Sequence, residues 1–174
     1  MGAYAADRSW SDLMIEQIRQ IVGPFLLRPT PFEMDAKQAA DLFVFTARDM
    51  TIAARVRRPG YADRYPFDFT IRSARDSGAV TELAKVIDGW GDWMFYGHAS
   101  PENVIHRWYL IDLTSFRAAL IRSGRQDGFS LSFTKKSNGD GTHFVSFDLR
   151  SFPKSPAILI GSSHPVPRLS EVAA

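Results

Sequence analysis

Two runs of strand-forming residues, Asp41-Leu-Phe-Val-Phe45 and Thr51-Ile-Ala-Ala-Arg-Val-Arg57, followed by Arg58, flank Arg48-Asp49 at its centre. The β-branched and aromatic content of both runs, with a short polar turn between them, predicts a hairpin. A turn centred on Arg48 and Asp49 pairs residues whose numbers sum to about 97 or 98, which puts Asp41 opposite Val56 or Arg57. Side chains alternate along a strand, so Arg55 and Arg57 share one face, within reach of Asp41. Both strands are apolar on both faces, which predicts that the hairpin is the centre of a mixed sheet covered by helices.

The rest of the chain reads as elements around that centre. Ser9-Trp-Ser-Asp12 has the spacing of a capping box, opening a helix to Val22 that Gly23-Pro24 stops. Trp10, Met14, Ile18, Ile21 and Val22 fall on one face of it, and Glu16 on the opposite one. Residues 31 to 35 alternate as a short half-buried strand that sets Glu33 and Asp35 on one side. A strand over 67–72 follows, then a helix from about Ala79 to Ile87 closed by Gly89, strands at 93–96 and 107–111, and a short helix from Ser115 to Arg122 capped by Thr114. A hairpin of 129–133 with 144–149 around Asn138-Gly-Asp-Gly141, and a strand at 157–160, complete the order. The aromatic run Trp90, Trp93, Phe95 and Tyr96 offers base-stacking rings, but its alternation with Met94 reads better as a buried strand.

These elements imply an α/β (α+β) fold, one domain over residues 1–174. Its core spans about 7–122, a hairpin and strand extend it over 123–162, and a flexible tail occupies 163–174. With 45% hydrophobic residues among 174, there is enough material for a sizeable core. The absence of cysteine excludes disulfide scaffolds, thiolate zinc sites and cysteine nucleophiles. No apolar run approaches the ~18 residues of a membrane span, so a cytoplasmic protein without a membrane partner is expected.

Charge is informative in its placement. The net charge is only +2, yet 16 of the 21 basic residues are arginine, and Arg55, Arg57, Arg58, Arg64, Arg72 and Arg75 lie within one short stretch. The planar guanidinium binds phosphate bidentately. The cluster reads either as a nucleic-acid-binding surface for DNA or RNA or as a solvated face.

An order of helix, three strands, helix, strand, strand resembles the αβββαββ core of the PD-(D/E)XK nuclease superfamily, including the archaeal-type Holliday junction resolvases, over roughly residues 7–113. The resemblance implies a central mixed sheet flanked by helices, a restriction-endonuclease-like core to which this chain adds a C-terminal hairpin. In that family the second strand begins with an acid, which Asp41 resembles, and the third carries an acid and a lysine one residue apart, where this chain has Arg55 and Arg57. A supporting acid from the first helix or strand is matched by Glu16 or Glu33. The resemblance thus implies Asp41 and Glu33 as Mg²⁺ ligands and catalytic residues of a metal-dependent endonuclease, with Glu82 and Lys85 as a relocated acid and lysine. Arg55 opposes that chemistry: at an effective dielectric of ~20, a unit charge about 5 Å away repels each unit of metal charge by on the order of 3 kcal/mol. The helical wheel instead reads Glu82 and Lys85 as a solvated i,i+3 pair. There is also a similarity to phage and mobile-element proteins.

Other chemistries lack their patterns. His98, His106, His143 and His164 have no zinc-ligand spacing, and there is no GxSxG, GxGxxG or Walker loop. Three expectations remain: a Mg²⁺-dependent nuclease, a noncatalytic nucleic-acid binder, and a protein-interaction module directed at a host protein, any of them as a monomer or homodimer.

Overall fold

A computed structural model describes residues 3–29, 42–44, 50–125 and 129–169, and within them the fold is mixed α/β. Its organising strand is β5 (Trp93–Ala99), in which every residue from Met94 to Ala99 is buried. A strand buried on both faces needs neighbours on both edges and cover above and below. β5 pairs in parallel with β3 (Ile52–Arg57) and antiparallel with β6 (Ile105–Asp112), which pairs with β9 (Leu159–Ser162). The result is a four-stranded mixed sheet in the order β3-β5-β6-β9. A second, antiparallel sheet has the order β4-β8-β7, from β4 (Asp68–Arg75), β7 (Phe133–Ser137) and β8 (Thr142–Asp148). A short pair, β1 (Leu27–Pro29) with β2 (Leu42–Val44), stands apart.

The alternation of β5 and β6 sorts their side chains into two cores. Met94, Tyr96, Tyr109 and Ile111 point to the second sheet and meet Phe69, Ile71, Val145 and Phe147. Phe69 is fully buried, edge-on to Tyr96 and Phe116 with both ring centroids at 5.5 Å, and stacked on Phe147 at 6.2 Å. Phe95 and Leu110 point the other way, onto Met14, Ile18 and Val22 of α1 (Ala3–Leu26). The layers are therefore helix, mixed sheet, antiparallel sheet. The C-terminal hairpin β7-β8 supplies two of the three strands in the outer layer. Among the described residues, no helix is long and apolar enough to cross a membrane.

Several sequence expectations are corrected. The hairpin of residues 42–45 with 51–57 does not form: β2 pairs with β1, and β3 runs parallel to β5. Among the described residues β3 is accordingly an edge strand, not the sheet's centre. The physical reason lies in its composition, since Ala53 and Ala54 are exposed and its arginines suit an unpaired rim, whereas β5 needs burial on both sides. The expected register of Asp41 with Val56 or Arg57 depended on that hairpin. Asp41, Glu33 and Asp35 themselves, with the strand expected at 31–35, lie outside the described residues.

α1 already contains Ser9 to Asp12, so these residues do not cap it; Asp12 instead accepts a hydrogen bond from Arg8 one turn earlier, at 3.3 Å. The helix also continues past Gly23-Pro24 to Leu26. Proline removes one helical hydrogen bond, but the last turn is held by tertiary contact. Phe25 meets Trp108 edge-on at 5.7 Å and occupies the space where a Cβ at Gly161 would stand. Helix α4 (Leu113–Ser123) is capped not by Thr114 but by Asp112, whose carboxylate accepts from the Ser115 N–H at 2.6 Å.

Candidate functional site

The parity of β3 divides its side chains between the two faces of the mixed sheet. Ile52 and Val56 join the α1 core, which sends Arg55 and Arg57 into the space between the two sheets. Strand register then fixes their neighbours: Arg55 stands beside Tyr96, and Arg57 beside His98. Thr70 of β4, Lys136 of β7 and Phe144 of β8 face them from the second sheet. Beyond β3, Gly60 takes a left-handed φ of 87° that only glycine adopts without strain, and the chain turns into the short helix α2 (Tyr61–Arg64). Tyr61 and Tyr65 thereby close one side. The half-open cleft has a volume of about 690 Å³.

Its rim is cationic and aromatic. The Arg57 guanidinium lies 4.2 Å from the Tyr61 ring centroid, Lys136 Nζ 4.2 Å from that of Tyr65, and Arg55 4.9 Å from Phe144. Arg58 also lines the cleft, stacked over Trp10 at 4.1 Å. Asp68 is the only carboxylate among the described lining residues. It accepts from Ser146 Oγ at 2.6 Å and pairs with Lys136 Nζ at 3.3 Å. Among the described residues, no carboxylate pairs with Arg57.

The floor is buried. Tyr96 donates to or accepts from Thr70 Oγ1 at 2.8 Å, and burial raises its phenol pKa, partly opposed by that hydrogen bond. His98 is 1% exposed, and neither ring nitrogen has a hydrogen-bond partner among the described residues. Register places it between Arg57 and Arg107 on the neighbouring strands. Burial first, then these two cations, lower its pKa to about 4, so the ring is neutral at pH 7.

Arg55 is buttressed from behind by helix α3 (Glu82–Ile87). Glu82 Oε2 lies 3.1 Å from Arg55 Nη1 and accepts the Arg72 backbone N–H at 3.4 Å, and its Oε1 is 4.0 Å from Arg72 Nη2. Burial lowers the Arg55 pKa from its ordinary value, and Glu82 opposes that shift.

Of the six arginines singled out in the sequence, Arg55, Arg57 and Arg58 line the cleft. Arg64 packs over Tyr65 at 5.3 Å, Arg72 joins Glu82, and Arg75 is exposed at the end of β4. Glu82 faces two guanidinium groups rather than Lys85, which is exposed, so this carboxylate is poorly suited to hold Mg²⁺. Glu16 lies on the exposed side of α1, paired with Arg19 at 3.0 Å. Among the described residues, no group of three or more His, Asp or Glu is placed to hold a metal ion. Tyr61, Tyr65, His98 and Lys136 were not singled out from the sequence. The one signal for His98 was its phase with Met94 and Tyr96 in a buried strand; for the other three, only the folded topology brings them to Arg57.

No protein-family model matches the chain, and neither curated proteins nor solved structures include a match to it.

Proposed function

We propose that this chain binds nucleic acid, DNA or RNA in single-stranded form, through the cleft between its two sheets, as a binding protein rather than through a catalytic step at that cleft. The observation that carries the reading is Arg57: a guanidinium held on the face of Tyr61, without a carboxylate partner among the described residues, in a cleft that also holds Arg55, Arg58 and Lys136. Arginine offers a fork for phosphate oxygens, and tyrosine rings at the rim offer stacking surfaces that accept any base. One or two unpaired nucleotides are commensurate in volume with a cleft of about 690 Å³.

The test is fluorescence anisotropy with single-stranded, duplex and branched oligonucleotides, in the presence of Mg²⁺, Mn²⁺ or chelator. Single strands should bind best, independently of the metal. Each neutralised phosphate contributes nearly one unit to the slope of log affinity against log salt, so Arg57→Ala should flatten that slope by about one. Cleavage requiring a metal and abolished by Asp41→Asn would contradict the noncatalytic reading and support the endonuclease implied by Asp41 and Glu33. Affinity unchanged in Arg57→Ala would remove the cleft as the binding site.

A further inference from the structure

We infer that the cleft receives a terminal phosphate monoester at its floor, with His98 from below and Arg57 and Lys136 from the rim as its ligands. This rests on the nucleic-acid reading and specifies which part of the ligand enters the site.

The argument begins with depth. Thr70, Tyr96 and His98 form the floor and are 7%, 1% and 1% exposed, whereas the cations and tyrosines stand at the rim. An internal phosphodiester continues into a nucleotide on each side, so it can lie along the rim without reaching the floor. A group with a single covalent attachment can enter. His98 shows that such a group is wanted there. A buried polar side chain ordinarily has its hydrogen bonds made, and leaving one unmade costs about 1–3 kcal/mol. Among the described residues both of its ring nitrogens lack partners while it lines the cleft.

The chemical class follows from the directions of the donors. Arg57 comes from β3, His98 from β5 and Lys136 from β7 on the opposite sheet. They line the cleft from both walls, a spread that suits the three terminal oxygens of a tetrahedral phosphate better than the two coplanar oxygens of a carboxylate. The neutral imidazole donates its one N–H to a phosphate oxygen. Asp68 is the opposing charge at this end, and it is already engaged by Lys136 and Ser146. The shared chemistry is the monoester, carried either by a nucleic-acid end or by a free nucleotide.

Competition anisotropy distinguishes these sources. The competitors are one oligonucleotide with a 5′-phosphate, a 3′-phosphate or hydroxyl ends, and a nucleoside monophosphate, all at fixed salt. A phosphorylated end should bind about tenfold more tightly than the hydroxyl form, the effect of one added charge-assisted hydrogen bond. His98→Gln should bring that ratio close to one while keeping the salt-dependent binding. Should the His98 variant fold poorly, Lys136→Met should also bring the ratio close to one, together with a lower overall affinity and a flatter salt slope. Equal wild-type affinity for phosphorylated and hydroxyl ends overturns the end-receptor inference and leaves the nucleic-acid reading standing. Nucleoside monophosphate binding as tight as any oligonucleotide supports the monoester site and overturns the nucleic-acid reading. Absence of binding to every competitor overturns both.

Discussion

Glu82 and Arg55 are joined across the gap between helix α3 and edge strand β3, with Oε2 of the acid 3.1 Å from Nη1 of the guanidinium. The contact orients Arg55 and reduces the positive field at that end of the cleft. Glu82→Gln keeps the shape and removes the charge, so nucleic-acid affinity should rise severalfold at low salt. Because the Glu82 side chain is 40% exposed, the loss of folding stability should be small, about 1 kcal/mol, readable as a slightly lowered Tm. Unchanged affinity would show that Arg55 contributes nothing to the field felt by the ligand.

His98 should make the free protein acid-sensitive. Its folded pKa, about 4, lies below the ordinary 6.5, so the unfolded chain takes up the proton first as pH falls. The stability associated with the neutral ring is therefore full above about pH 6.5, declines as pH drops, and is gone below about 4. Its size is at most on the order of 3 kcal/mol. The groups that set this response are Arg57, Arg107 and His106, which disfavour the charged ring, and Asp68, which favours it. Denaturant titrations at pH 7 and pH 5 should show a smaller acid loss in His98→Phe than in the wild type. An identical loss in both would assign the acid response to other groups.

The interlocking of the two sheets rests on Phe69, fully buried among Tyr96, Phe116 and Phe147. Phe69→Ala should cost about 3–5 kcal/mol, the transfer and cavity terms together, and release both walls of the cleft at once. Urea unfolding measures it directly. A loss below about 1 kcal/mol would mean that the second sheet does not pack as described.

Local patterns in the sequence identified α1, β5, β6, α4 and the turn and second strand of the β7-β8 hairpin, because each is set by its own periodicity or turn; the first strand of that hairpin is Phe133–Ser137 rather than 129–133. The boundaries erred where tertiary contact overrode local signals, as at Pro24, where Phe25 packing on Trp108 carries the helix onward. Strand partners were the larger gap. The run 51–57 reads as a strand, but its pairing with β5 rather than with 42–45 is decided some forty residues away by the two-faced burial of Met94 to Ala99. The aromatic run split likewise: Phe95 and Tyr96 are core, while Trp90 is 72% exposed. For the site, Arg55, Arg57 and Arg58 were legible as a cationic cluster. Lys136 and His98 were not, since a lysine in a hairpin and a lone histidine in an apolar strand gain meaning only when two sheets bring them together.

The central claim is that the cleft between the sheets is where nucleic acid binds, and NMR titration of ¹⁵N-labelled protein with a short 5′-phosphorylated single strand tests it most directly. The account predicts that the largest shift changes cluster at Arg55, Arg57, Tyr61, Tyr65, His98 and Lys136, and that the solvent face of α1 around Glu16 and Arg19 stays silent. Saturable shifts on that helix face, with the cleft residues unmoved, would contradict it.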